Sequence, residues 1–175
     1  MTGLTRTGRV WRFGDNINTD LIQPSTVFRL PQNQQHRQCF EAIRPGWVDQ
    51  VSVGDLIVAG DNFGLGSGRP LGAILHACGI RGVVANSVNG LALRNCINAS
   101  LPAIGCAGVV AAFEDGDQAC IDFLTGHIEN LRSGQVLETT PLAKELAAII
   151  AAGGLVQMLV EQGYIERAHF VAASS

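Results

Sequence analysis

Gly60-Asp61-Asn62-Phe63-Gly64-Leu65-Gly66-Ser67-Gly68-Arg69-Pro70 joins a short apolar run to a helical pattern, and its reading decides the fold. The run before it, Asp55-Leu56-Ile57-Val58-Ala59, is apolar enough for a buried strand. After it, Pro70 suits a first helical turn, Leu71, Ile74, Leu75 and Cys78 recur on one face, and Gly79 suits the C-terminal cap. Ile80 to Ala85 returns as a β-branched strand, so the whole reads as a βαβ unit with a glycine loop at the strand-to-helix turn. Such a loop can hold an anion. Glycines let backbone N–H groups face a ligand, and a helix N-terminus adds partial positive charge.

Working outward, Gly8 to Phe13 alternates as a strand and runs into the turn-rich Gly14-Asp15-Asn16-Ile17-Asn18-Thr19-Asp20. Thr26 to Trp47, with Gln32-Asn33-Gln34-Gln35, has weak periodicity and reads as a long loop with a short helical piece at Cys39 to Ile43. A loop of that length is either functional or disordered. Ser87 to Asn98 reads as a second helix capped by Asn86 or Ser87. From Ala107 onward short strands are expected at Val109 to Phe113, Ala119 to Phe123 and Val136 to Thr139, with a hairpin at Thr125-Gly126-His127. Helices at Leu142 to Ala152 and Leu155 to Gln162 follow, broken at Gly153-Gly154. No repeat or linker divides the chain, so residues 1–175 read as a single α/β domain with helices against a central sheet.

Composition narrows the function. The chain has 175 residues, 47% of them hydrophobic, and a net charge of −3 with no basic run, which argues against nucleic acid as a partner. No apolar run is long enough to span a membrane and no signal-type stretch follows the N-terminus, so a cytoplasmic location is expected. Its five cysteines, Cys39, Cys78, Cys96, Cys106 and Cys120, include no C-x-x-C pair and are expected to be mostly buried. Nor do His36, His76, His127 and His169 show metal-ligand spacing, so no metal site is expected in this chain.

The glycine loop has rivals to weigh. A Walker loop needs Gly-Lys followed by Ser or Thr, but Gly68 is followed by Arg69 and Pro70. The dinucleotide fingerprint places a third glycine where Arg69 stands. A structural turn, with Ser67 capping locally and Arg69 in solvent, remains a reading of these residues alone.

Over nearly its whole length the sequence resembles the small subunit of 3-isopropylmalate dehydratase, in the aconitase superfamily. The matching pieces are Gly14 to Pro24, the loop Gly60 to Arg69, Gly79-Ile80-Arg81, Asn95-Cys96 and Ala152-Gly153-Gly154-Leu155, in shared order and spacing. The resemblance implies a β/β/α three-layer swivelling domain, like the fourth domain of aconitase, that closes over a large subunit carrying a [4Fe-4S] cluster. It also implies a hydro-lyase that dehydrates and rehydrates a small hydroxy di- or tricarboxylate, such as 3-isopropylmalate or a related malate derivative, in leucine biosynthesis or a similar route. No cofactor is then expected in this chain itself.

On the same grounds the serine base falls on Ser67 and the substrate-carboxylate arginine on Arg69, while Asp20 matches an aspartate that orients an active-site partner. Gly66 and Gly68 flank the base and are expected against the substrate. Arg29, in Val27-Phe28-Arg29-Leu30, falls on the loop that recognises the variable end of the substrate. The family loop reads Gly-Ser-Ser-Arg-Glu-His; here Gly68 replaces the second serine and Pro70-Leu71 replace Glu-His. These departures imply a changed substrate or weaker activity. They also keep open a non-catalytic subunit of the same fold that binds a carboxylate or regulates a partner.

Overall fold

The structure, a computed structural model, describes residues 3–166. The outer ends of the expected 1–175 domain, and with them His169, lie outside the described residues. Strands β1 (Thr5–Arg12), β2 (Leu56–Ala59), β3 (Gly82–Ala85), β4 (Ala103–Gly105), β5 (Gln118–Asp122), β6 (His127–Asn130) and β7 (Val136–Glu138) form one sheet in the order β4-β3-β2-β1-β5-β6-β7. Helices α1 (Thr19–Ile22), α2 (Leu71–Cys78), α3 (Gly90–Asn98), α4 (Lys144–Ala151) and α5 (Leu155–Glu161) pack around it.

β1 is the hinge of this arrangement. It pairs parallel to β2 on one edge, with Val10 opposite Leu56, and antiparallel to β5 on the other, with Thr7 opposite Cys120. The β4-β3-β2-β1 half is parallel because helical crossovers connect its strands. The other half is a meander whose hairpin turns at Gly126, a left-handed glycine. The two halves stack rather than lie flat: a Cβ built on Gly82 of β3 would meet the ring of Phe123, just past β5, at 2.8 Å. Val10, Leu56, Val58 and Val84 share a core with Ala119, Ile121, Phe123 and Ile128. The opposite face of the parallel half packs against α2 through Ile57, Val83, Leu71 and Leu75. The layers are therefore sheet, sheet and helix, the α/β three-layer arrangement that the resemblance implies.

Three local expectations are corrected. Cys39 to Ile43 is a series of turns, not a helix; two short 3-10 helices, Ser25–Arg29 and Gln32–Gln38, precede it instead. Val109 to Phe113 is not a strand, because left-handed Gly108 turns the chain into a single 3-10 turn at Val109–Ala111; the strand there is β4. The second helix starts at Gly90, with the Asn89 side chain accepting from Leu91 N–H at 3.0 Å. Ser87 is drawn to the glycine loop instead: its Oγ accepts from Asn62 N–H at 2.8 Å and its carbonyl from Phe63 N–H at 3.0 Å. The Thr26 to Trp47 segment is seated by aromatic packing. Phe40 stacks on Phe13 at 4.2 Å between centroids and meets Trp47 edge-on at 4.9 Å, both residues fully buried.

Candidate functional site

The loop after β2 is held between two other segments. On one side Gly64 N–H donates to Ile17 O at 2.7 Å and Thr19 N–H to Leu65 O at 2.9 Å, a parallel bridge pairing Asn18 with Leu65. On the other, Phe63 bridges to Val88 and its carbonyl accepts from Asn89 N–H. The bends come from residues that tolerate left-handed backbone. Asn62 has φ 59° and Gly66 φ 127°, and a Cβ on Gly66 would reach the Thr19 hydroxyl at 2.6 Å. Gly68, by contrast, is not left-handed and leaves room for a side chain; the nearest atom to a Cβ there is Leu91 Cδ2 at 3.6 Å.

This framework brings Ser67, Arg69 and Asp20 together. Ser67 is exposed; its N–H donates to Thr19 Oγ1 at 3.2 Å, and the two hydroxyl oxygens lie 3.4 Å apart. Arg69 is not in solvent. Its side chain is 12% exposed, and its guanidinium donates to Thr19 O at 2.8 Å, to Gln23 O at 2.5 Å and to Asp20 Oδ1 at 2.5 Å. A guanidinium carries five N–H donors, and these bonds occupy three, leaving two without an acceptor among the described residues. Phe28 lies under the group at 5.7 Å, close enough for the ring face to attract the cation. Asp20 is mostly exposed, at 67%, so it reaches Arg69 from the open side of the site.

α1 is only four residues long, but it fixes these partners. Asn18 caps it by accepting from Leu21 N–H at 2.9 Å, which aims Thr19 and Gln23 at the loop. Thr19 and Gln23 are positioning groups that the sequence reading did not single out, although both fall in the Gly14 to Pro24 stretch that carries the resemblance. Gln23 is buried, and its Oε1 lacks a hydrogen-bond partner within the described residues.

Arg29 is placed differently. It ends the 3-10 helix Ser25–Arg29, is exposed, and has no hydrogen bond or ion pair among the described residues. Its neighbour Phe28, not Arg29, makes the contact with Arg69. A cavity of about 350 Å³ lies beside the loop, walled by Pro70, Ala73, Ile74 and Ala77 of the α2 side and by Gln35 and His36 of the second 3-10 helix. A larger one, about 560 Å³, is lined by His36, Arg37, Glu41 and Asp49 and touches none of Ser67, Arg69 and Asp20.

The helix start differs from the sequence expectation as well. Pro70 stands at the cap position without an N–H, and Leu71 N–H is taken by Arg69 O at 2.7 Å. The backbone donors left near Ser67 are the N–H groups of Gly66 and Gly68, which have no acceptor among the described residues.

The thiols of this chain do not fit an iron-sulfur cluster. A cluster takes thiolates, yet burial pushes the Cys96 thiol up to about 12 and raises Cys39 well above its ordinary value beside Cys78. Among the described residues no three His, Cys, Asp or Glu side chains converge on one point.

No protein-family model matches the chain. It is 40% identical over 158 residues to the 3-isopropylmalate dehydratase small subunit 1 of Methanopyrus kandleri, covering 89% of this chain and 93% of the relative. The methanogen homoaconitase small subunit of Methanothermobacter thermautotrophicus is 42% identical over 161 residues, covering 89% and 91%. The 2,3-dimethylmalate dehydratase small subunit of Eubacterium barkeri is 38% identical, covering 87% and 94%. Among solved structures, 3-isopropylmalate dehydratase from Methanocaldococcus jannaschii matches with a TM-score of 0.84 and 32% identity, covering 94% of this chain and 99% of that one. With this fold, and with relatives of such identity aligned over most of both chains, the protein belongs to the 3-isopropylmalate dehydratase small-subunit family of aconitase-type hydro-lyases.

Proposed function

We propose that this chain, as one swivel-type domain over residues 1–175, is the small subunit of a cytoplasmic hydro-lyase that isomerises a small hydroxy di- or tricarboxylate of the malate type. The observation that carries the reading is the placement of Ser67 and Arg69 on one glycine loop, an exposed hydroxyl beside a guanidinium with two donors that have no acceptor among the described residues. Arg69 grips a substrate carboxylate with those donors, and Asp20 with the Thr19 and Gln23 carbonyls keeps its planar fork from turning away. Ser67 takes the proton from the carbon next to the one that loses its hydroxyl, and the same group returns it in the reverse direction. The N–H groups of Gly66 and Gly68, without an acceptor among the described residues, are the backbone donors at hand for the charge that this transfer develops. Arg29 meets the variable end of the substrate. Its partner is a large subunit, and a [4Fe-4S] cluster held there supplies the Lewis acid for the departing hydroxyl.

The test is co-expression with a large subunit of the family and an anaerobic screen of hydroxy acids. Ser67→Ala in that complex is expected to lower turnover by at least about 100-fold, the scale of losing a general base, with circular dichroism unchanged. Near-full turnover would remove Ser67 from the role of base, and a complex that turns over no hydroxy acid would replace this reading with a carboxylate-binding or regulatory subunit.

A further inference from the structure

Thr19 uses all three of its polar groups on the glycine loop. Its N–H donates to Leu65 O at 2.9 Å, its carbonyl accepts from Arg69 at 2.8 Å, and its hydroxyl accepts the Ser67 N–H at 3.2 Å while lying 3.4 Å from Ser67 Oγ. The residue is 3% exposed, in contrast to the open Ser67 it faces. The approach is also tight enough to require glycine next door, since a Cβ on Gly66 would press on Thr19 Oγ1 at 2.6 Å.

We infer that Thr19 is the positioning residue for Ser67, acting through its hydroxyl. A hydroxyl has one proton and two lone pairs. One lone pair of Thr19 Oγ1 is engaged by the Ser67 N–H, so its own proton has Ser67 Oγ as the neighbouring acceptor. Because a β-branched side chain is stiff about χ1 and this one is buried, Thr19 Oγ1 is held beside Ser67 Oγ, and its proton reaches that acceptor by turning about Cβ–Oγ1. Serine is a poor base because its alkoxide is unstable in water, and a fixed O–H donor stabilises the charge where it forms. The same residue holds the Arg69 fork by its carbonyl, so base and carboxylate clamp share one fixed point. The inference rests on the hydro-lyase reading above and adds the source of the alkoxide's stabilisation.

The experiment compares three variants in the complex with the large subunit. Thr19→Val keeps shape and removes the hydroxyl; because less of Ser67 is then in its base form, kcat is expected to fall about 100-fold, the lower end of the effect of a positioned base, with KM nearly unchanged. Thr19→Ala, which adds no volume, should show the same loss, and Thr19→Ser should restore kcat. In the isolated chain, hydrogen exchange at the Ser67 amide should speed up in Thr19→Val and not in Thr19→Ser. Retained kcat in Thr19→Val, equal losses in Val and Ser, or unchanged exchange overturns the inference. Ser67→Ala measured alongside separates the two readings: if it keeps full turnover the role of Ser67 as base falls and that of Thr19 with it, and if it alone loses turnover only the role of Thr19 falls.

Discussion

At the scale of single residues, the glycines of the loop are not equivalent, and the difference is measurable. Gly66 is left-handed at φ 127° with the Thr19 hydroxyl where a side chain would go, whereas Gly68 has ordinary backbone and open space. Gly66→Ala should therefore destabilise the chain by more than about 1 kcal/mol, the scale of placing a side chain at positive φ. Gly68→Ser, which restores the residue usual in the family, should leave the urea midpoint unchanged. Equal midpoints for the two variants would mean that the loop relaxes freely. Residue types and the place after β2 marked the loop as one that can hold an anion, and the family resemblance made Ser67 and Arg69 its base and clamp candidates. The sequence did not carry the direction of the Arg69 side chain, because that depends on two backbone carbonyls, Thr19 in α1 and Gln23 just past its end, and a carbonyl has no signature in residue identity.

At the scale of elements, the 3-10 segments between α1 and β2 are the part that periodicity could not read. A 3-10 helix has no amphipathic repeat long enough to recognise, and Gln32-Asn33-Gln34-Gln35 has no apolar stripe. What seats the segment is Phe40 and Trp47, contacts distant in sequence from the Trp11 and Phe13 they meet. The buried strands β2 and β3, the half-buried β5 and the glycine-capped α2 were legible because their signals are local. Arg29 projects from this anchored segment with no partner among the described residues, so removing its side chain should cost no stability. Arg29→Ala is expected to raise KM or reorder the preferred hydroxy acids with kcat and melting temperature held. A uniform fall of kcat for every acid would make the residue catalytic instead.

At the scale of the molecule, the stacking of two half-sheets was legible only through resemblance, since nothing local tells β5 to fold back over β3. The thiols show the same separation of scales: four of the five are buried, spread over both cores, as small apolar residues. Anaerobic reconstitution of the isolated chain with iron and sulfide should leave it colourless, and a stoichiometric cluster would overturn the assignment of the cluster to the partner. The joint between the halves has its own signature. Asp117, 3% exposed, sits beside β1, where its carbonyl accepts from Val10 N–H, while its carboxylate accepts from Arg132, from Asn130 at 2.7 Å and from Glu114 N–H at 2.9 Å. The Arg132 bond foremost, then the Glu114 N–H and Asn130, outweigh burial and hold the Asp117 carboxyl down at about 2. Its folded value thus lies below the roughly 3.9 of an unfolded aspartate, so the native state binds this proton less readily than the unfolded chain. The stabilisation is fully present above about pH 4 and is lost as pH falls through about 2. Asp117→Asn keeps the shape but cannot titrate there, so its melting temperature should fall less steeply than the parent's between pH 5 and pH 2, approximate limits set by the same linkage. Parallel acid limbs for the two proteins would show that the ionisation of Asp117 is not coupled to folding, and that the joint between the half-sheets is held by its backbone ladder and packing without this charge.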